Sequence, residues 1–175
     1  MNQAIGYLDT ILKNYQSFKE KSQDPDNKNK QIPSPLLHDF DFWFIPLVNP
    51  DGNWQTLRQN KRYNVGRKNG RNTDGQCEQF ENMIDTYKEG VDLNRNYPFC
   101  WGCLGESGSK SKKDSYYYRG EQAASEPESQ AMIALANRYH FIAGISWHTN
   151  GTMIISPYTI DGNRSPLAKN ITDIV

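Results

Sequence analysis

The chain opens with an apolar stripe on a polar background. In MNQAIGYLDTILKNYQSF, Ala4, Ile5, Leu8, Ile11, Leu12 and Tyr15 recur at three- and four-residue spacing, the period that gathers side chains on one face of an α-helix. No capping residue or leader stands before it, so the expectation is that Met1 is an internal methionine of a longer gene. Residues 21–38 (KSQDPDNKNKQIPSPLLH) are charged, proline-containing and aperiodic, the pattern of a long surface loop. FDFWFIPLV at 40–48 is apolar almost throughout, which predicts a strand buried on both faces in a parallel sheet. Asn49-Pro50-Asp51-Gly52 then supplies turn chemistry.

Residues 53–124 are polar, rich in Asn, Arg, Gly and Tyr, and show little regular period. The stretch from Gly102 to Asp114 reads as a solvated loop. Periodicity returns at Ser125-Glu126-Pro127-Glu128. Ser125 is placed to cap a helix, Glu128 follows three residues on as in a capping box, and Pro127 suits a first turn. Ala131, Met132, Leu135, Ala136 and Tyr139 continue that helix as a stripe. FIAGISW at 141–147 and TMIIS at 152–156 are two further strand candidates. Strand, long excursion, helix, strand is the order of an α/β sheet.

Composition narrows the function classes. The 20 Lys+Arg balance 20 Asp+Glu, which argues against a general nucleic-acid binder or an anionic-membrane binder. Hydrophobic residues are only 36%, yet aromatics reach 12%, so core material is present in a polar chain. The longest apolar run, FWFIPLV, is far too short to span a bilayer, and no signal peptide is visible. Three cysteines cannot all pair within the chain. Three histidines cannot by themselves build a His-rich metal site.

Functional groups of open α/β sheets gather beyond the carboxyl ends of strands. His148 closes the FIAGISW run and suits a metal ligand or a general base, although a lone histidine is more often structural. His38 and His140 end a loop and a helix, and read as structural or surface residues. In GVDLNRNYPF, Arg95 offers a planar fork matched to a carboxylate, Asn94 adds a neutral donor, and Asp92 is spaced to orient a neighbouring histidine. Arg67 and Arg71 in GRKNGR are either solvated cations or charges placed where an oxyanion develops. Cys100-Trp101-Gly102-Cys103 is a single CxxC, without the second pair a structural zinc needs and without the strand-to-helix setting of a redox motif. An oxidising compartment would allow two of the three cysteines to pair, and Cys77 with Cys100 or with Cys103 is open from sequence.

VNPDG, GRKNGR, GVDLNRNYPF, WGCLGESGS, YYRGEQAASEPES and SWHTNGTMIISPY, in this order, resemble the zinc carboxypeptidases of the carboxypeptidase A type. The likeness runs from about residue 1 to about residue 160, and DLNRN is its most specific block. The resemblance implies a partial α/β/α sandwich with a mixed, mainly parallel sheet, incomplete here, with residues 1–175 as the central part of one catalytic domain. It implies removal of the C-terminal residue of peptides or proteins by zinc-activated water. His148 matches the third zinc ligand, Asn94 and Arg95 the pair that holds the substrate carboxylate, and Arg67 the arginine that polarises the scissile carbonyl, with Arg71 as the alternative. Asp92 matches the carboxylate behind the first zinc histidine, and Tyr158 a scaffold tyrosine.

Departures accompany the likeness. The chain has no H-x-x-E, the motif that supplies the family's first two zinc ligands, and the general-base glutamate and mobile tyrosine are expected beyond Val175. The residue governing side-chain specificity is also expected there. Asn150 stands where pancreatic-type enzymes carry Tyr. The expectation is a fragment truncated at both ends, holding one Zn2+ ligand and little or no activity. The alternative is a non-catalytic protein that binds peptide C-termini through Asn94 and Arg95, and a CxxC redox module is a more distant third. A monomer is expected, with no nucleic-acid or membrane partner given the zero net charge. The family likeness implies an extracellular or vacuolar/lysosomal location, with which sequons at Asn150, Asn163 and Asn170 are compatible.

Overall fold

The computed structural model describes residues 2–23, 39–59, 66–73, 89–148 and 155. Helix α1 spans Asn2–Gln23. It runs past the predicted end at Phe18 because Lys19, Glu20 and Lys21 are good helix formers and nothing before Asp24 breaks the turn. Lys13 donates to Asp9 at 2.6 Å one turn earlier, and Lys19 lies 5.1 Å over the Tyr15 ring. No described helix is long and apolar enough to cross a membrane.

The predicted turn at 49–52 is instead a helix start. Helix α2 spans Pro50–Gln59, with Pro50 as its first residue and Asn49 before it. The Gly52 N–H donates to Asn49 Oδ1 at 2.9 Å, which satisfies one of the orphan donors of the first turn. Turn and cap share the same residue types, so only the chain that follows separates them. Asn49 Nδ2 also reaches the carbonyls of Arg67 and Lys68 at 3.3 and 3.2 Å. Asp51 Oδ2 accepts the Gly70 N–H at 2.9 Å. The start of α2 therefore clasps the GRKNGR loop.

Asp92 caps a 3-10 turn over Leu93–Arg95 by accepting the Asn94 N–H on its side chain. A four-residue helix, α3, covers Gly105–Gly108, and α4 covers Pro127–Tyr139. The proline at the first turn of α4 is as predicted, but Ser125 is not its cap. Glu126 occupies the cap position without a side-chain cap bond. Ser125 Oγ instead donates to Glu126 Oε1 at 2.6 Å, and Glu128 faces Asn69 rather than closing a capping box.

The centre of the described structure is polar. Val91, Leu93 and Tyr118 are its buried apolar residues, while Gln55, Lys68, Asn69, Asp92, Asn96, Ser109, Glu126 and Ser129 are buried polar ones. Such burial is tolerable only where the polar atoms find partners. Asn69 N donates to Val91 O at 3.0 Å and Asp92 N to Tyr118 O at 2.9 Å. Gly90 has φ +78°, and a Cβ there would lie 2.0 Å from Asn69 O, so the strap beside Asn69 requires glycine.

The predicted strands at 40–48 and 141–147 carry no ladder among the described residues and have bends at 46, 48 and 142; the only strand-type pairing there is the bridge between Lys110 and Tyr118. Nor are they buried: Trp43 is 50% and Ile142 83% exposed. Trp43 meets Tyr139 at 4.3 Å and Phe141 at 6.3 Å between ring centroids, which sets the two apolar segments side by side. Of TMIIS, only Ile155 falls within the described residues, and it is exposed.

Candidate active site

Four of the residues singled out in the sequence come together. The backbone of the 3-10 turn places Asp92, Asn94 and Arg95 on consecutive corners. Asp92 is 2% exposed. Its Oδ1 accepts the Asn94 N–H at 3.1 Å. Its Oδ2 accepts Arg67 Nε–H at 2.8 Å and lies 2.8 Å from Arg67 Nη2 in an ion pair. Burial pushes the Asp92 carboxyl above the usual range, against the downward pull of Arg67 and Arg95.

Tyr117 joins the two arginines. Its ring lies 4.8 Å from the Arg67 guanidinium and 5.8 Å from that of Arg95, within cation–π range. Arg95 Nη1 donates to its neighbour's carbonyl, Asn94 O, at 3.1 Å, but its buried Nε has no hydrogen-bond partner among the described residues. An unfilled donor on a guanidinium is costly unless a ligand meets it. The Asn94 side chain is exposed beside it. Arg95 and Tyr117 line an open groove of about 320 Å³ with Ser107, Gly108, Ser109 and Lys110.

Arg71 sits elsewhere. It lines a separate small cavity with Val91 and Tyr118, and its Nη1 donates to Glu126 Oε1 at 2.6 Å. Glu126 is fully buried and also accepts Asn69 Nδ2 at 2.7 Å. Its own N–H donates to Asn96 Oδ1 at 3.1 Å. Asn96 Nδ2 reaches Ser125 Oγ at 2.8 Å and Arg119 O at 3.0 Å. Asn69, Asn96 and Glu126 thus tie GRKNGR, DLNRN and SEPE into one unit. The sequence reading passed over all three, and over Tyr117. The available signal was that GRKNGR and DLNRN each set an amide beside an arginine inside an otherwise polar stretch.

His148 is not part of this cluster. It ends the exposed segment 141–148, and no described contact joins it to Asp92. His140 takes a left-handed conformation at the C-cap of α4, while His38 and Tyr158 lie outside the described residues, as do Asn150 and Cys77. The CxxC is closed as a disulfide between Cys100 and Cys103, which resolves the open pairing for those two. A catalytic zinc takes three protein ligands plus water. Among the described residues no group of three His, Cys, Asp or Glu is gathered to hold a metal ion. The described donors alone do not make up a zinc site.

Two guanidinium groups on one aromatic ring, beside an open groove, make a site suited to an anionic ligand. Comparison with known proteins gives that chemistry a family. Residues 2–174 match the Peptidase M14 zinc carboxypeptidase family. The chain is 35% identical to metallocarboxypeptidase A of Trichophyton tonsurans over 159 residues, 89% of this chain and 33% of that protein. The same figures hold for metallocarboxypeptidase A of Trichophyton equinum. Zinc carboxypeptidase A 1 of Anopheles gambiae is 27% identical over 79% of this chain and 29% of its own length. The chain belongs to the zinc carboxypeptidase family, a family of metallohydrolases with a carboxypeptidase-like α/β fold. It spans about a third of the length of the curated relatives it matches.

Proposed function

We propose that this chain is the central part of a zinc metallocarboxypeptidase catalytic domain, and that its own contribution is to hold the C-terminal carboxylate of a peptide. The observation that carries this reading is Arg95, whose buried Nε lacks a partner among the described residues at the edge of an open groove. Arg95 binds the carboxylate with a charge-assisted fork, and Asn94 adds a donor from the adjacent exposed corner. Arg67 is the residue that faces the scissile carbonyl, and its sharing of the Tyr117 ring with Arg95 supports that choice over Arg71, which is turned to Glu126. Asp92 orients Arg67 and a zinc-binding histidine. His148 is one metal ligand, the others coming from outside this chain.

In the family's domain a bound zinc would supply Lewis acidity and activate a water; the residues of this chain bind and orient the substrate. The finer fold reading is an incomplete α/β/α sandwich whose mixed, mainly parallel sheet includes 40–48 and 141–147. The protein acts as a monomer on peptide C-termini, with no nucleic-acid or membrane partner, which its zero net charge supports. Its compartment is extracellular or vacuolar, consistent with three sequons and with a disulfide.

The test is calorimetric titration of the 175-residue chain with an N-acetylated peptide and its C-terminally amidated twin. Binding of the free acid but not the amide is expected, and Arg95→Ala abolishes it. Equal binding of both forms overturns the reading. Release of C-terminal residues by the chain with added zinc is expected to be absent; robust, chelator-reversible turnover would show that one family ligand is not all this chain supplies.

A further inference from the structure

Tyr117 is an aromatic residue left 47% exposed on a backbone that is tied at both ends. Its N–H donates to Ser115 Oγ at 3.2 Å, and its carbonyl accepts the Lys110 N–H at 2.8 Å. The next residue, Tyr118, is buried, and its carbonyl accepts the Asp92 N–H at 2.9 Å. Tyr118 therefore anchors this strap to the start of the 3-10 turn, while the Tyr117 ring stays outside, against the arginines.

That ring meets two cations, Arg67 at 4.8 Å and Arg95 at 5.8 Å from its centroid. Two guanidinium groups so placed repel each other, and they are not equally fixed. Arg67 is held by the buried Asp92 carboxylate. Arg95 donates to the carbonyl of its own neighbour, Asn94, and among the described residues it makes no ion pair. The Tyr117 ring is the side chain against which it rests. An aromatic face attracts a cation through its quadrupole and does not occupy the N–H donors as an oxygen would. A carboxylate in the same place would take those donors and cancel the charge. The ring instead steadies Arg95 with its charge intact and its buried Nε still without a partner among the described residues.

We infer that Tyr117 is a positioning residue for the carboxylate clamp. Its ring holds the Arg95 guanidinium in place beside Arg67 and leaves the arginine's donors and charge to a peptide C-terminus. This rests on the reading of Arg95 given above and adds the group that aims it. Tyr117 acts through Arg95 and chooses no substrate side chain.

The experiment titrates the full chain with an N-acetylated peptide and its C-terminal amide. Tyr117→Phe, which keeps the ring, is expected to bind the free acid as the unaltered chain does. Tyr117→Leu is expected to bind it about two- to fivefold more weakly, the size of an exposed cation–π contact. The deciding arm replaces Tyr117 by phenylalanine carrying one, two or three ring fluorines. Fluorine drains the negative face of the ring while nearly keeping its shape, so affinity for the acid is expected to fall stepwise with each fluorine. A residue that merely packs gives no such gradient, and this arm decides even where Tyr117→Leu fails to fold. A flat fluorine series, whatever Tyr117→Leu does, overturns the positioning of Arg95 by the ring. If the acid is still preferred over the amide in that case, the clamp stands and Tyr117 alone is overturned. Equal binding of acid and amide by the unaltered chain, or no binding of either, overturns the clamp itself and this inference with it.

Discussion

Arg67 donates Nε–H to Oδ2 of Asp92 at 2.8 Å, and its Nη2 lies 2.8 Å from the same oxygen in an ion pair. The other oxygen of Asp92 holds the backbone of the 3-10 turn through Asn94 N. One carboxylate therefore couples the loop that carries Arg67 to the turn that carries Asn94 and Arg95. The exposure is lopsided, with the Arg67 side chain 35% and the Asp92 side chain 2% accessible, and that asymmetry sets what each substitution does.

Removing Arg67 leaves a buried carboxylate without its cation. Arg67→Met is expected to cost about 3–5 kcal/mol, the usual size for one partner lost from a buried pair. Asp92→Asn removes the charge whose burial is already unfavourable, since the Asp92 carboxyl is pushed above its usual range by desolvation. It leaves a partly solvated guanidinium, so its expected cost is smaller, about 1 kcal/mol. A carboxyl with a raised folded pKa holds more protons in the folded than in the unfolded state within its window, so stability falls as pH rises through that window. Arg67→Met widens the window upward. Urea unfolding of both variants at pH 4 to 7 checks the ordering; equal losses would contradict it.

Glu126 and Asn96 form the second joint. Each has no exposed surface, and Glu126 answers Arg71, Asn69 and Ser125 at once. Glu126→Ala is expected to cost about 3–5 kcal/mol, and Asn96→Ala about 2–3 kcal/mol for the carbonyls and N–H it leaves unanswered. The pair shares Ser125 and the Glu126 N–H, so the double variant loses less than the two single losses added together. A double-mutant cycle by denaturant unfolding reads this coupling, and strict additivity would show that the two residues act separately.

This joint also marks where the sequence was legible and where it was not. Helix α4 was readable because Pro127 and the stripe from Ala131 to Tyr139 are local signals. Helix α1 was readable for the same reason, apart from an end that Lys19, Glu20 and Lys21 extend. GRKNGR and DLNRN were legible as chemistry but not as structure. A core built on Asn69, Asn96 and Glu126 leaves the same polar, aperiodic trace as a solvated loop, since what distinguishes them is a partner 22 to 57 residues away. Apolarity misled in the other direction. FDFWFIPLV reads as a strand buried on both faces, yet Phe42 and Val48 are 38% and 37% exposed. Periodicity says that a segment wants cover; it does not supply the neighbour.

The disulfide between Cys100 and Cys103 closes a very short loop, with a sequence separation of 3. Loop-closure entropy for so few residues amounts to about 2 kcal/mol. Reduction is therefore expected to lower stability by no more than about 2 kcal/mol while leaving the bridge from Lys110 to Tyr118 in place. Thermal melts with and without reductant check this, with a Cys100→Ser/Cys103→Ser variant as the control that should not respond. A larger loss would mean that the clip holds more of the fold than its own loop.

Lys68 gives the fold a pH signature of unusual sign. The side chain is buried, donates to Lys113 O at 2.7 Å and sits 5.6 Å over the Tyr118 ring. Burial lowers its pKa from 10.5 to about 8, and Asp114, Asp92 and Glu89 only partly oppose this. Below pH 8 both folded and unfolded states carry the charge, and the folded state bears the full desolvation cost. Between pH 8 and 10.5 the unfolded chain holds the extra proton, so stability rises with pH across that window. Tyr97 and Tyr118 work against this near and above pH 10, because burial raises both phenols and a raised acid loses stability as pH climbs. The clean interval is therefore about pH 8 to 9.5. Urea midpoints are expected to increase across it, and Lys68→Met is expected to flatten the slope. If the variant keeps the slope of the unaltered protein, another group titrates there, and the buried ammonium of Lys68 is not the cause.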